Sequence, residues 1–146
     1  MDDSQIATVE KITYGDDLLA IIVRKGHKKN GISFITPNDF SLQLGCMRHP
    51  QDYKIKPHMH NPVRRETVGT QEVLIIQKGK LRIDFYSFDK KYLEARELSA
   101  GDVILLITAG HGMTVIEPVS MIEVKNGPYR PEQDKEKFEG KTNDTC

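Results

Sequence analysis

Cysteine is almost absent from this chain. Cys46 lies in a strand-like segment and Cys146 at the extreme end, which argues against a disulfide framework and against a closed thiolate zinc site. Cys46 reads as a small buried filler, and Cys146 as a thiol on a polar tail on which nothing depends. An excess of charge of either sign is missing too. Lys plus Arg number 21 and Asp plus Glu number 21, so there is no broad positive field for a polyanion and no nucleic-acid partner is expected. No stretch approaches the roughly 20 apolar residues that span a bilayer, so no membrane partner is expected. The start, Met1-Asp2-Asp3-Ser4, lacks the basic and apolar regions of an export signal. The expected location is cytoplasmic. Helical periodicity is equally scarce: the best candidate, Asp134 to Glu139, is too short to stand alone.

What remains is a chain of 146 residues with 38% hydrophobic content, enough for one domain with a closed core. That domain is expected over residues 1–127, including N-terminal strands, with a polar tail over 128–146 that packs locally and then frays. Short runs rich in Ile, Val, Leu, Phe and Tyr end repeatedly in Gly, Asn, Asp or Pro, the pattern of many short strands. They include Leu18 to Arg24, Gly31 to Thr36, Phe40 to Arg48, Glu72 to Gln77, Lys80 to Phe88, Val103 to Ile107, Gly112 to Glu117 and Val119 to Lys125. The fold class is therefore all-β. Lys78-Gly79 and Asp89-Lys90 suit hairpin turns. The polar run from Arg48 to Thr70 is long for a loop in a compact domain, and loops of that size usually carry function.

Three of the four residues with the most distinctive chemistry lie in or beside that loop. His58 and His60 are two apart, so on an extended backbone both imidazoles face one way. Glu72 begins the next strand and shares its face with Leu74 and Ile76, a polar group above an apolar floor. His111 stands between Gly110 and Gly112, free of β-carbon crowding from its neighbours. Three imidazoles and one carboxylate suit one borderline divalent metal, Fe, Mn, Ni or Zn, and leave positions open for water or substrate. The imidazoles also need acceptors for their second nitrogens; Asp84, Gln71 and backbone carbonyls are candidates.

The order of these residues resembles the cupin superfamily. Its first motif has two histidines one residue apart, then a glutamate, then a glycine seven positions on: here His58, His60, Glu72 and Gly79. The run Gly101 to Leu106 followed by Gly110-His111-Gly112 is similar to the second motif. The resemblance covers roughly Leu42 to Lys125 and implies a small β-barrel of the jelly-roll or double-stranded β-helix type, with the four residues as metal ligands. Eleven residues separate His60 from Glu72 where the family commonly has three or four. Thr108 stands where the family has proline, and no Asn follows His111 at the usual distance. Glu66, inside the long insertion, is the alternative carboxylate. The stretch Glu123 to Tyr129, with Asp134-Lys135, is similar to small cupins found with surface-sugar biosynthesis genes, which implies a sugar-like ligand.

On the substrate side, Arg64 and Arg65 in the loop, Arg48 before it and Arg82 after Gly79 are candidates to grip a carboxylate or phosphate. Arg82, Asp84 and Tyr86 alternate with Leu81, Ile83 and Phe85, so one strand face is polar enough to line a pocket. Tyr86 and Glu66 are the candidate proton-transfer groups. Three functions fit: a metal-dependent isomerase or dioxygenase, a non-catalytic small-ligand module or sensor, and a metal-free nucleotide-sugar epimerase or isomerase. Val73 and Ile75 make the second face of the Glu72 strand apolar as well, and a homodimer is expected to cover it.

Overall fold

A computed structural model describes residues 7–140; the expectations for Met1-Asp2-Asp3-Ser4 and Cys146 lie outside them. The described chain holds eight strands: β1 (Val9–Tyr14), β2 (Asp17–Val23), β3 (Gly31–Phe34), β4 (Gly45–Arg48), β5 (Glu72–Tyr86), β6 (Tyr92–Ser99), β7 (Val103–Leu106) and β8 (Gly110–Lys125). No helix is present among the described residues, and none is long and apolar enough to cross a membrane. The all-β expectation holds. By their internal contacts the described residues divide into two units, one formed by residues 7–27 with 70–140 and one by residues 28–69.

The first unit is a six-stranded antiparallel sheet in the order β1-β2-β7-β5-β6, with β8 on the other edge of β5. β5 is its organiser. Along one edge it pairs first with β7 through Glu72 to Ile75 and then with β6 through Lys80 to Tyr86. Along the other edge it follows β8 for its whole length. The core is the face carrying Ala20, Ile22, Leu74, Ile76, Leu81, Ile83, Phe85, Leu98, Ile104 and Leu106. Residues directly opposite in neighbouring strands share a face, so the register itself assembles this layer.

Two expected boundaries are corrected. Lys78-Gly79 is not a hairpin: β5 runs straight through it, and the pairing with β8 slips between Ile76 and Leu81. The buried positions change phase there, from Leu74 and Ile76 to Leu81, Ile83 and Phe85. A strand with strict two-residue alternation turns its apolar side outward after such a change, unless an extra residue restores the phase. Gly79, at φ +83°, lies within that irregularity against the backbone of Pro118. For the same reason Gly112 to Glu117 and Val119 to Lys125 are one strand, β8, interrupted by an irregularity at Pro118. The Asp89-Lys90 turn does join β5 to β6, with Lys90 in the left-handed region at φ 64°.

The sheet curls strongly into a half-barrel. Glu72 and Phe85 are separated by about 43 Å of extended strand, yet His111, the β8 partner of Phe85, reaches the Glu72 carboxylate. The tail takes part in this unit: Phe138 packs edge-on against Tyr86 at 5.2 Å, and Tyr86 against Tyr92 at 5.9 Å.

The second unit contains the β3–β4 hairpin and irregular chain. The expected strand from Phe40 begins only at Gly45, because residues 35–44 form a loop knitted by Gln43. Its amide nitrogen donates to the carbonyls of Pro37 and Phe40 at 2.9 and 2.8 Å, and its oxygen accepts from the Thr36 hydroxyl. β3 accordingly stops at Phe34 rather than Thr36. Residues 49–71 carry no regular secondary structure, as expected of the long polar loop.

Candidate functional site

Within the first unit, the candidate ligands Glu72 and His111 come together. Glu72 pairs with Leu106 at the end of β7, and only Ile107, Thr108 and Ala109 separate Leu106 from β8. That connection is held by Ile107 N–H donating to the Leu19 carbonyl at 2.9 Å and by Ala109 in the left-handed region at φ 63°. It delivers His111 on the core face, opposite Phe85. His111 Nε2 lies 3.5 Å from Glu72 Oε2, the histidine side chain 32% exposed and the glutamate 11%. The floor beneath is Leu74 and Ile76, as the alternation from Glu72 implies.

The charge on Glu72 is stabilised locally. Its pKa is lowered, chiefly by the contact with His111, against a rise from burial, with Lys125 and Lys135 adding smaller electrostatic contributions. Lys125 ends β8 directly opposite Glu72. Its ammonium is 4.0 Å from Glu72 Oε1, 3.5 Å from Glu123 Oε1 and 4.9 Å from the centre of the Tyr129 ring. Lys125 was not among the residues singled out from the sequence; its signal was its strand partner, visible only once the β5–β8 register is known.

Within the second unit, His58 and His60 come together as well, their rings 5.2 Å apart and edge-on. They do so without a strand: both lie exposed on irregular chain, so the alternation argument for their common direction does not apply. His58 Nδ1 lies 2.9 Å from the Lys56 carbonyl. A carbonyl only accepts, so Nδ1 carries the proton and a neutral His58 presents its lone pair at Nε2. A backbone carbonyl thus fills the supporting role foreseen for one, while Asp84 instead accepts from Arg82 Nε at 2.9 Å and Gln71 N–H donates to Asn126 Oδ1 at 2.8 Å. The donors gather as pairs within each unit, and no group of three or more His, Cys, Asp or Glu is present among the described residues.

The other expected site residues are distributed. Arg64, Arg65 and Glu66 are exposed on the irregular segment. Arg48, at the end of β4, lines a cleft of about 410 Å³ in the second unit with Asn30, Gly31, His49, Pro50 and Tyr53, where the His49 and Tyr53 rings stack at 4.1 Å. Arg82 and Tyr86 lie on the face of β5 opposite His111 and Glu72. That face is less open than its polar alternation implied: Tyr86 is 4% and Asp84 5% exposed, and burial raises the Tyr86 pKa.

A second charged cluster was not foreseen. The Glu10 carboxylate receives Arg24 and Arg96, Arg24 also reaches Asp102 at 3.1 Å, and Arg96 reaches Glu94 at 3.3 Å. Asp102 further accepts the backbone N–H groups of Lys25 at 3.0 Å and Ser99 at 2.9 Å. These bonds tie the β6–β7 turn to the end of β2, so the cluster has a structural role.

No protein-family model, curated protein or solved structure matches this chain.

Proposed function

We propose that this chain is a cytoplasmic, divalent-metal-binding protein of the cupin type. In this reading His58, His60, Glu72 and His111 are the metal ligands, and the ligand is a small sugar-like or anionic metabolite taken at the mouth of a jelly-roll barrel. The observation that carries the reading is the Glu72–His111 contact at 3.5 Å. Two donors each about 2.1 Å from one tetrahedral ion stand about 3.4 Å apart, so this pair already has the spacing a shared ion requires. The chemistry of the donors agrees, since imidazole nitrogen and carboxylate oxygen suit Fe, Mn, Ni or Zn. Such an ion supplies Lewis acidity for an isomerisation or, if iron, a redox centre for a dioxygenase. Glu72, held ionised, balances part of its charge, and His58 offers Nε2. Leu74 and Ile76 exclude water below. Arg48, Arg64 and Arg65 remain the candidates for gripping an anionic group of the metabolite.

The test is elemental analysis of protein purified without a histidine tag, comparing wild type with His58→Ala and His111→Ala. About one metal per chain, lost in both variants while the fold persists, is the expected result. Wild-type protein that is folded but takes up no divalent metal would defeat the reading.

A second reading, a non-catalytic small-ligand module or sensor, is favoured by one observation: Tyr86, a candidate proton-transfer group, lies on the face away from Glu72 and His111, beside Phe138. A ligand recovered chemically unchanged after long incubation supports it, and turnover removes it. We also propose that the protein is a homodimer, with the apolar outer face of β5 and β8 as the contact.

A further inference from the structure

The cleft of about 410 Å³ in the second unit is lined by one charged side chain, Arg48, and by no carboxylate. Its volume lies within the range of about 300–1,000 Å³ found for small-molecule sites. Arg24, Arg82 and Arg96 each meet a carboxylate, whereas Arg48 has no ion pair among the described residues. The hairpin sets its place: Arg48 ends β4 directly opposite Gly31, and residues directly opposite share a face. Gly31, at φ +81°, has open space where a side chain would stand. The face beside Arg48 is thus bare, with room for a ligand next to the guanidinium.

The residues that follow supply a flat wall. The turn from Pro50 to Tyr53 is closed by Tyr53 N–H donating to the Pro50 carbonyl at 3.3 Å, with Asp52 at φ 64°. It folds the chain back so that the Tyr53 ring stacks on His49 at 4.1 Å, 3° from parallel. His49 Nε2 is buried without a hydrogen-bond partner, so it is the stack, not a polar contact at that atom, that holds the two rings. Tyr53 is still 56% exposed: one ring face covers His49 and the other is open. A guanidinium without a partner takes a carboxylate or phosphate in bidentate fashion. An aliphatic anion would use Arg48 and leave the open ring face to water, whereas a planar ring extends the stack and covers it.

We propose that this cleft is a binding site for a planar ring carrying an oxyanion, the ring on Tyr53 and the oxyanion on Arg48. The site goes beyond the metal-binding reading and does not rest on it, since every residue it uses lies in the second unit. It assigns Arg48 to this cleft and leaves Arg64 and Arg65 as the candidates at the metabolite.

The experiment is an NMR titration of the full chain with benzoate, in EDTA so that no bound ion can partner the anion. Benzamide is the uncharged counterpart, cyclohexanecarboxylate the non-planar one and phenyl phosphate the alternative oxyanion. Arg48→Gln is compared with Arg48→Lys and Tyr53→Leu with Tyr53→Phe, and thermal unfolding is measured for each. Benzoate or phenyl phosphate should shift the amide signals of Gly31, Arg48, His49 and Tyr53, and the tighter of the two identifies the oxyanion. Affinity for it should fall about tenfold or more in Arg48→Gln, the effect of a lost charge-assisted hydrogen bond, and recover in part in Arg48→Lys. It should fall about three- to tenfold in Tyr53→Leu, the range for an aromatic pair, and return in Tyr53→Phe. Equal affinity for benzamide and benzoate overturns the need for an anion, and equal affinity for benzoate and cyclohexanecarboxylate overturns the planar ring; both comparisons use wild type and stand whether or not a variant folds. Unchanged affinity in Arg48→Gln overturns the role of Arg48. Shifts confined to other residues, or no binding of either aromatic anion at about 10 mM, overturn the site.

Discussion

Glu10 and Glu72 are carboxylates whose charged form the fold favours, and both make stability depend on pH in the same direction. Arg24 is the main cause at Glu10, where its hydrogen bond outweighs the opposing effect of burial and Arg96 helps. A carboxyl whose folded pKa lies below its ordinary value near 4.5 contributes stability in full above that value. It loses the contribution as the pH falls through the lowered one. Glu10→Gln should therefore lower the urea midpoint at pH 7, and the difference from wild type should close as the pH drops below 4.5 and through the folded pKa. Urea unfolding curves from pH 7 to acid check this, and a difference that stays constant over the range would show that the charge of Glu10 is not what matters. None of this was legible in the chain. Glu10 is 14 residues from Arg24 and 86 from Arg96, and only the order β1-β2-β7-β5-β6, in which β7 and β6 follow one another along the same edge of β5, brings them together.

At the level of elements, β5 separates what alternation can reveal from what it cannot. The apolar residues from Val73 to Tyr86 were read correctly as strand, and so was the shared face of Glu72, Leu74 and Ile76, whereas the expected run to Phe88 ends at Tyr86 because Phe88 already belongs to the turn. The join was misread, because Lys-Gly between two apolar runs is also what a hairpin looks like. The sign that distinguishes them, the move of the buried set from even to odd positions across Gly79, was hidden because Val73 and Ile75 are as apolar as Leu74 and Ile76. The β-carbon of any other residue at Gly79 would fall on the Pro118 carbonyl of β8, at a φ of +83° that side chains rarely adopt. Gly15 has a comparable φ of +59° but open space around it. Gly15→Ala should then cost about 1–2 kcal/mol from backbone strain alone. Gly79→Ala should cost more, about 3 kcal/mol or above, since the β5–β8 pairing must also give way. Chemical denaturation of the two variants checks the order, and equal costs would mean that the strand irregularity tolerates a side chain.

At the level of the whole molecule, the His-X-His spacing, the glutamate and the glycine-flanked histidine were legible as chemistry, and their pairing as Glu72 with His111 and His58 with His60 follows the two units. What could not be read was how much apolar surface β8 leaves uncovered. Ile122 and Val124 stand opposite Ile75 and Val73 on the outer face, exposed by 46% and 47%, and they extend the apolar second face of β5 that first pointed to an assembly. Contiguous apolar surface on a sheet marks an interface, and a two-fold axis lets one such patch cover its own copy. A stable dimer of this kind needs about 800 Å² from each partner, more than these four side chains supply, so the contact has to continue along β8, where Ile116 is 47% exposed. Light scattering at tens of micromolar should therefore give twice the 16.6 kDa chain mass. Ile122→Glu combined with Val124→Glu should give the single-chain mass with an unchanged far-UV spectrum, because a charge opposite its own copy is repelled across the axis. Wild type that scatters as a single chain would rule the dimer out, and a double variant that stays dimeric would move the interface to another face.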